Sequence, residues 1–289
     1  MITTVNYHLT KACNFKCKYC YAQFKDIHEE GLPKAKQFEV VRQLAESGKF
    51  RKINFAGGEP TLVPHITELI QYAKSLGLET SIVTNTSQID FEWVKNISSY
   101  LDILAISIDS LNLETNIKIG SNQSGKILSI NNLRNISTAC QCFGVQLKIN
   151  TVVSKFNHTE KLTDFVNEMQ PFRWKILQAT EVKGQNDCNF EEVAVSTDDF
   201  LYFCSRNSKG LLPEIKVVKE SNELIKGSYI MVDCLGRFFD SSQSCHNYSA
   251  PILEVGVKNA LNQINVDSQK FIARNGNYST IKENIVCTF

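Results

Sequence analysis

The stretch Cys13-Asn-Phe-Lys-Cys17-Lys-Tyr-Cys20-Tyr21 places three cysteines within a few residues, directly after a run over 3–9 that alternates like a β-strand. Cysteine thiolates are the usual protein ligands of iron–sulfur clusters, which commonly take four of them. No fourth cysteine follows at ferredoxin-like spacing, so the loop predicts a cubane cluster with three thiolate ligands and one iron open to a reacting molecule. A structural zinc site that lacks a ligand, or a loop with chance cysteines, is the alternative.

A second motif, Gly57-Gly58-Glu59-Pro60, stands where the second predicted strand ends. Glycines at such a point let the backbone bend sharply and approach a ligand closely, and a glutamate there can accept hydrogen bonds from an amine. Ligands of parallel α/β sheets gather at the carboxyl ends of the strands. Both motifs follow strand ends, so we expect them to lie close together at the same edge of the sheet. Taken alone, the second motif also fits an ordinary strand–helix turn.

Composition is that of an ordinary globular enzyme, with 289 residues, 43% hydrophobic, 21% charged and a net charge of +1. The near-zero charge argues against general nucleic-acid binding. No apolar run approaches the ~20 residues of a membrane span, and the few residues before the first predicted strand leave no room for a signal peptide. We therefore expect a cytoplasmic protein without a membrane anchor.

The remaining cysteines are scattered, and in a cytoplasmic protein such residues are most often reduced core residues. They do not predict a second cluster. They are Cys140, Cys142, Cys188, Cys204, Cys234, Cys245 and Cys287.

Strand-like and helix-like runs alternate over residues 1–180. This rhythm predicts βα units, a parallel sheet and, with right-handed crossovers, a partial (βα)6 TIM-like barrel of the α/β class. The predicted strands are 3–9, 52–56, 80–84, 102–107, 146–153 and 173–178, and the predicted helices are 33–47, 65–76, 91–100, 125–142 and 160–169.

The region 181–289 lacks this regular alternation of strands and helices, and we expect it to form a C-terminal extension that covers the open side of the barrel. It predicts a helix over 197–208 and a hairpin of 229–232 with 237–239. A short run over 252–255 precedes predicted helices near 259–263 and over 267–273, and an irregular tail begins at Gly276.

Polar side chains recur in pairs on three of the predicted strands. The pairs are Lys52 with Asn54, Lys148 with Asn150, and Arg173 with Lys175. Residues two apart share one face of a strand, so these pairs predict cations inside the barrel, with Ile53, Ile149 and Trp174 on the opposite face. Buried cations cost several kcal/mol each without an anion. The pattern therefore predicts a polyanionic ligand such as a triphosphate, which Arg and Lys bind well. Solvated strand edges are the alternative.

Longer strings of the sequence resemble the viperin family of radical S-adenosylmethionine (SAM) enzymes, from near residue 5 to about residue 278. The strings are Asn6-Tyr7-His8-Leu9-Thr10, residues 52–60, 81–85 and 102–110, Lys148-Ile149-Asn150, Arg173-Trp174-Lys175, Glu220-Ser221-Asn222 and Ser228-Tyr229. The spacing of the three cysteines also resembles that superfamily.

The resemblance implies an enzyme that dehydrates a nucleoside triphosphate to its 3′-deoxy-3′,4′-didehydro analogue, a terminator of viral RNA synthesis. It implies a 4Fe–4S cluster, SAM as cosubstrate, a 5′-deoxyadenosyl radical that takes the ribose 4′ hydrogen, and loss of the 3′ hydroxyl as water. CTP is the first choice of substrate, with UTP and GTP as the next candidates. We further expect a monomer that receives electrons from a flavodoxin or ferredoxin.

The resemblance also assigns residues. By this assignment, Cys13, Cys17 and Cys20 hold the cluster; Tyr21, Gly57, Gly58, Glu59, Asn85, Ser107, Asp109 and Asn150 bind SAM; Asn6, Lys52, Lys148, Arg173 and Lys175 bind the nucleotide; and Tyr229 is a candidate catalytic donor. A hairpin tyrosine packed on the barrel is the alternative for Tyr229. We expect His8 to be structural.

Two positions depart from the animal enzymes that the chain resembles. Ala56 replaces a serine before the glycine motif, and Ser121-Asn122 replaces an arginine after an Ile-Gly pair. Lys118 and Lys126 are the nearby cations. Other candidate functions are a radical SAM enzyme acting on another small molecule or a peptide, and a non-enzymatic iron–sulfur sensor.

The tail over 276–289 has little apolar pattern. A radical intermediate needs a site closed to water. We expect this tail to be disordered without nucleotide and to fold over the barrel mouth with it.

Overall fold

The computed structural model describes residues 2–122, 125, 129–276 and 278. Its described residues form one ten-stranded sheet in the order β10-β9-β8-β1-β2-β3-β4-β5-β6-β7. The strands are β1 (Thr4–His8), β2 (Lys52–Ala56), β3 (Glu79–Thr84), β4 (Ile103–Ser107), β5 (Gln146–Val153), β6 (Arg173–Gln178), β7 (Lys216–Glu220), β8 (Met231–Val232), β9 (Arg237–Asp240) and β10 (Asn247–Pro251).

Strands β1 to β7 pair in parallel, and β8 joins β1 in parallel before the antiparallel β9 and β10. The helices are α1 (Lys34–Glu46), α2 (Ile66–Ser75), α3 (Phe91–Ile97), α4 (Leu113–Ile119), α5 (Ile130–Phe143), α6 (Thr163–Met169), α7 (Asp187–Phe190), α8 (Thr197–Ser208), α9 (Asn222–Ile225), α10 (Ile252–Leu261) and α11 (Ser268–Ala273). The predicted α/β partial barrel with a parallel sheet is confirmed.

The main core lies between the outer face of the sheet and the helices, as the strand alternation requires. Ile53, Ile149 and Trp174 are buried there, and the Trp174 indole donates to Thr151 Oγ1 at 3.0 Å. Because these residues face outward, the residues directly before and after each of them on its strand face the barrel interior. No helix of the described residues is long and apolar enough to cross a membrane.

The helix predicted over 125–142 is wrong at its beginning. Gly125 lies in a turn with φ 79, and α5 begins at Ile130 after Ser129, whose side chain accepts from Asn132 N at 3.3 Å. A serine N-cap satisfies a free helical N–H and so fixes that start. The short helix α4 was not predicted.

The C-terminal region extends the same sheet at both edges. The predicted helix over 197–208 and the predicted hairpin are confirmed as α8 and as β8 with β9. The edge strand β7 was not predicted, and the run at 252–255 is part of α10, which bends at Gly256 with φ 78. The boundary near residue 180 stays a prediction, because strands from both sides of it share one sheet.

Candidate active site

A cavity of about 300 Å³ occupies the barrel interior. The cysteine loop and the glycine motif line it at the carboxyl ends of the strands, and cations line it nearer the amino ends. Lys148 and Val152 are four residues apart on β5 and both line the cavity, so it extends about 13 Å along that strand. This single cavity brings together all the predicted site residues except Lys52 and Asp109.

The cysteine loop packs directly against the glycine motif. Gly58 N donates to Thr10 O at 2.6 Å, and Glu59 N donates to Ala12 O at 2.8 Å. A Cβ atom on Gly58 would lie 2.1 Å from the Ala12 carbonyl oxygen. Glycine is therefore required here for the close approach of the two backbones, and this contact fixes the position of the cysteine loop relative to the cavity.

Substituting Gly58 with alanine should displace the cysteine loop, because a methyl group cannot occupy the space taken by the Ala12 carbonyl. We expect most of the reconstituted iron to be lost while the circular dichroism of the fold stays close to wild type. Gly144→Ala is the matched control: its Cβ meets nothing within 4 Å, but its φ of 68 strains the backbone. It should cost about 1 kcal/mol of stability and no iron. Equal iron content in both variants would contradict the expectation.

A second backbone contact holds the other end of the loop. Lys16 N donates to Gly120 O at 3.0 Å, and Lys18 N donates to Ile119 O at 2.9 Å. Gly120 has φ 85, and a Cβ on it would lie 2.2 Å from Lys16 O. The Ile-Gly pair thus anchors the cysteine loop, and Ser121 after it lines the cavity. Lys118 is exposed and does not line the cavity, and Lys126 lies outside the described residues.

The aromatic residue inside the cysteine motif was missed in the sequence. Tyr19 lines the cavity, and its hydroxyl donates to Asp109. Asp109 is buried behind it and also accepts from Val152 N at 2.9 Å. Asp109 therefore reaches the cavity through Tyr19, and its hydrogen bond with Ser121 gives a second link, since Ser121 also lines the cavity. Tyr21, which the resemblance assigns to SAM, also lines the cavity but is 39% exposed. The signal that was overlooked is the aromatic position between Cys17 and Cys20.

Glu59 organises the next strand end. Its carboxylate accepts from Thr61 N at 3.0 Å, from Thr84 Oγ1 at 2.7 Å and from Asn85 N at 2.7 Å. Burial raises the pKa of Glu59, and these hydrogen bonds oppose the rise. The Asn85 side chain in turn donates to Asn14 Oδ1 at 2.8 Å. The glycine motif, the end of β3 and the cysteine loop are thereby joined by hydrogen bonds.

His8 is buried, and both its ring nitrogens lack a hydrogen-bond partner. Its ring packs edge-on against Phe24 and Phe239, with centroids 5.5 Å away in each case. Burial lowers the pKa of His8 to about 3, so the ring is neutral. His8 also lines the cavity, so its structural role at the end of β1 stays a prediction, with a ligand-facing role as the alternative.

The predicted inward cations are confirmed as buried residues of the barrel interior. Lys148 pairs in register with Arg173, and Asn150 pairs with Lys175. Lys52 lies just outside the cavity lining, where its ammonium is 2.9 Å from Glu79 Oε1 and donates to Tyr278 O at 3.0 Å. Burial lowers the pKa of both Lys148 and Lys175 to about 7.

Arg173 leaves most of its guanidinium donors without an acceptor. One of its nitrogens donates to Asn275 O at 2.6 Å, while Nε and Nη1 are buried without a hydrogen-bond partner. The ring of Tyr278 lies 4.3 Å from its guanidinium and 3.9 Å from the Lys52 ammonium. Donors that are buried without an acceptor cost free energy, so this end of the cavity is suited to an anion.

A buried carboxylate, Glu220, stands beside these cations. It lies 3.1 Å from the Lys175 ammonium and 3.2 Å from Arg274 Nη1, and it accepts from the Tyr229 hydroxyl. Glu220, Arg274 and Tyr278 received no role from the sequence. No local pattern indicates a role for Arg274 or Tyr278, because Arg274 meets Glu220 across fifty-four positions and Tyr278 meets Lys52 and Lys148 from still further along the chain.

Charges in this part of the cavity do not balance. Five cations, Lys52, Lys148, Arg173, Lys175 and Arg274, share two carboxylates, Glu79 and Glu220, in the part of the chain that the structure describes. When all five are protonated the net charge of this group is +3, and among the described residues Lys148 and Arg173 have no carboxylate partner. A ligand with about three negative charges would balance this net charge.

Comparisons with known proteins agree with this geometry. The family model described as the Radical SAM superfamily matches residues 7–141. The S-adenosylmethionine-dependent nucleotide dehydratase of Flammeovirga pacifica is 42% identical over 96% of this chain and 96% of its own. The chain belongs to the viperin family of S-adenosylmethionine-dependent nucleotide dehydratases. A relative of the same name in Lacinutrix mariniflava is 44% identical over 96% of this chain, which spans only 59% of that relative's length. The nucleotide dehydratase RSAD2 of Siniperca chuatsi is 37% identical over 98% of this chain and 80% of its own.

Solved structures of other proteins share this fold. Native anSMEcpe with bound AdoMet matches with a TM-score of 0.66 and 14% identity, covering 90% of this chain and 80% of that one. Streptococcus suis SuiB bound to S-adenosylmethionine matches with a TM-score of 0.62 and 17% identity over 82% of this chain and 59% of that one. At these identities the likeness concerns the fold alone.

Membership in this radical SAM family implies a 4Fe–4S cluster and SAM, and the cysteine loop fits the cluster. Cys13, Cys17 and Cys20 are all free and line one end of the cavity. In the described residues no three Cys, His, Asp or Glu side chains converge on a single metal ion. A cubane does not require such convergence, because each thiolate binds a different iron. Burial raises the pKa of all three thiols, that of Cys20 to about 11, so the metal would have to supply the charge that stabilises the thiolates.

Proposed function

We propose that this protein converts a nucleoside triphosphate to its 3′-deoxy-3′,4′-didehydro analogue, an antiviral chain terminator, with CTP as the first choice and UTP and GTP as the next candidates. The observation that carries this proposal is the cluster of unbalanced cations at one end of a cavity whose other end holds the three cysteines. The dehydratase names of the relatives support the same reaction.

The arrangement orients a nucleotide along the barrel. Phosphates bound near Lys148, Arg173 and Lys175 direct the ribose toward the carboxyl ends of the strands, where the cysteine loop lies. When bound, the reduced cluster and SAM would supply an electron and the 5′-deoxyadenosyl radical that takes the ribose 4′ hydrogen. The chain's own residues bind the phosphates, orient the ribose and exclude water.

Loss of the 3′ hydroxide as water requires one proton and one further electron. Tyr229 is our candidate for the proton: its hydroxyl donates to Glu220 and accepts from Lys175. Burial raises the pKa of Tyr229 well above its usual value, so before the reaction it is a neutral phenol that still carries the proton it would donate. A reduced flavodoxin or ferredoxin would supply the electrons. We further propose that the protein acts as a cytoplasmic monomer.

For SAM, we propose that Gly57, Gly58 and Glu59 receive the methionine end. Tyr21, Asn85, Ser107 and Asn150 would line the rest, and Asp109 would act through Tyr19. These residues lie around the cysteine end of the cavity, Asp109 behind it. Asn150 Oδ1 is buried without a hydrogen-bond partner, as expected of an acceptor that waits for a ligand. Asn6 and Lys52 complete the nucleotide side in this proposal.

An anaerobic assay tests the proposal directly. The four ribonucleoside triphosphates are each incubated with reconstituted protein, SAM and dithionite, and products are identified by mass. We expect one triphosphate, CTP first, to lose one water per SAM cleaved, and the matching nucleoside to be inert. SAM cleavage without any nucleotide product would point to another substrate class, and absence of SAM cleavage would point to a sensor.

Nucleotide affinity should fall as the pH rises above neutrality. Burial lowers the pKa of Lys148 to about 7, with Arg173, Arg274 and Lys52 adding to the shift and Glu220 opposing it. A bound phosphate favours the charged lysine and raises its pKa, so binding takes up protons and weakens as the free lysine loses its proton. Calorimetry between pH 7.5 and 9, in buffers of different ionisation enthalpy, measures this proton uptake. The range lies above the second phosphate pKa of about 6, so the phosphate itself does not titrate there. Affinity that rises with pH in this range would contradict the expectation.

The predicted ordering of the tail over 276–289 lies outside the described residues, apart from Gly276 and Tyr278. Tyr278 lines the cavity beside Lys52 and Arg173. The role of the tail stays a prediction.

A further inference from the structure

Glu220 is a buried anion in a cavity that otherwise gathers cations. It is the last residue of β7 and is fully buried. Lys175 and Arg274 approach its two carboxylate oxygens at 3.1 Å and 3.2 Å, and the Tyr229 hydroxyl donates to it. A carboxylate at this place repels any phosphate that enters, so a cavity selected only for phosphate affinity would not contain it.

The contacts of Glu220 converge on Tyr229. The guanidinium carbon of Arg274 lies 3.7 Å from the centroid of the Tyr229 ring, and the Lys175 ammonium lies 4.7 Å from the same centroid. Lys175 also donates to the Tyr229 hydroxyl. The Glu220 carboxylate therefore pairs with both cations that pack on the tyrosine ring and also accepts a hydrogen bond from the tyrosine hydroxyl.

Arg274 comes from the turn that follows α11, and its other nitrogen Nη2 donates to Ser228 O at 2.9 Å. Ser228 directly precedes Tyr229 in the chain. Glu220 thus joins β7, the segment before β8 and the end of α11 at one point beneath the nucleotide site. Removing a member of such a buried network leaves uncompensated charges, so each member has an effect beyond its own contacts.

We propose that Glu220 is a positioning residue: it reduces by one the positive charge available to the triphosphate, and in exchange it fixes the Tyr229 hydroxyl and Lys175 for the dehydration step. This inference rests on the proposed function. It predicts that phosphate affinity and reaction efficiency move in opposite directions when the carboxylate is neutralised.

Binding is measured first, on the apoprotein and without any reaction. Calorimetry with inorganic tripolyphosphate at about pH 5.5 compares wild type with Glu220→Gln. This pH is well below the pKa of about 7 of Lys148 and Lys175, and it allows for the further lowering that loss of Glu220 would cause. The variant should bind about tenfold more tightly, because one charge-assisted contact is freed for the phosphates. A structural residue that merely supported the site would weaken binding when substituted.

Coupling is measured next, on the reconstituted enzyme, as dehydrated nucleotide formed per SAM cleaved. Glu220→Gln should lower the KM for the nucleotide while lowering kcat and the coupling ratio by about tenfold or more. Glu220→Asp keeps the charge but withdraws the carboxylate from Tyr229. It should keep wild-type tripolyphosphate affinity and still lose coupling, and it carries the test if the glutamine variant does not fold.

Asp233→Asn is the matched control. Asp233 is a fully buried carboxylate that lies 2.6 Å from Arg237 Nη2, and neither residue lines the cavity. It should lower the thermal stability but leave tripolyphosphate affinity and coupling as in wild type. Unchanged or weaker tripolyphosphate binding by Glu220→Gln, or wild-type coupling in Glu220→Asp, overturns the inference. Wild-type protein that neither binds tripolyphosphate nor dehydrates a nucleotide overturns the proposed function itself, which is a distinct result.

Discussion

The Cys17→Ala variant should contain no stable iron–sulfur cluster and should cleave no SAM. Two thiolates cannot hold a cubane that leaves one iron open, and Cys17 is the central ligand of the loop. Its neighbours Lys16 and Lys18 are bonded to the Ile119-Gly120 backbone, so the loop cannot slide to bring another ligand into place. Iron and sulfide per chain, visible absorbance and 5′-deoxyadenosine formation after anaerobic reconstitution measure the loss.

Cys188→Ala is the control for this experiment. Cys188 is exposed on α7 and does not line the cavity. Its substitution should leave iron content and SAM cleavage at the wild-type level, which excludes a general effect of removing a thiol. Wild-type iron content and turnover in Cys17→Ala would refute the assignment of the cluster ligands.

The barrel strands were predictable because their signals are local. β2, β5 and β6 match their predicted bounds, since each combines a period-two pattern with clear breaks on both sides. The same alternation predicted that Lys148 and Lys175 face inward, and both are buried in the barrel. A residue's face follows from its own strand, so the cationic interior needed no knowledge of the tertiary structure.

The edge strand β7 illustrates what the sequence does not reveal. Val218 and Glu220 are buried in it and Val217 is half-buried, but the exposed Lys216 and Lys219 make the stretch look like a solvated loop. Charged residues are typical of sheet edges, where they prevent pairing with other chains. The strand that carries Glu220 was therefore missed, although the string that contains it was part of the family resemblance.

Long-range contacts of the site were also beyond the sequence. Arg274 meets Glu220 across fifty-four positions, and Tyr278 meets Lys52 across more than two hundred. Ion pairs and ring contacts of this kind depend on where the C-terminal helix packs, which no local pattern encodes. The sequence predicted which charges enter the barrel and could not predict which of them are already neutralised.

Substituting Lys148 with methionine should weaken triphosphate binding far more than SAM binding. Lys148 has no carboxylate partner among the described residues, and its nearest polar contact is the Tyr278 hydroxyl at 3.5 Å. Its charge is therefore available to a phosphate, and removing a charge-assisted contact costs about 1.5–3 kcal/mol. This corresponds to a loss of affinity of about tenfold to a hundredfold.

Methionine keeps most of the length of the side chain, so the loss reports on charge and not on a cavity. Lys155→Met, on an exposed lysine that donates to Glu191 O outside the cavity, controls for the general loss of a positive charge. Titrations with CTP, cytidine and SAM on the same preparations separate the two ends of the site. If Lys148→Met lost as much affinity for SAM as for CTP, or if wild type bound cytidine as tightly as CTP, the cations would not be a phosphate site.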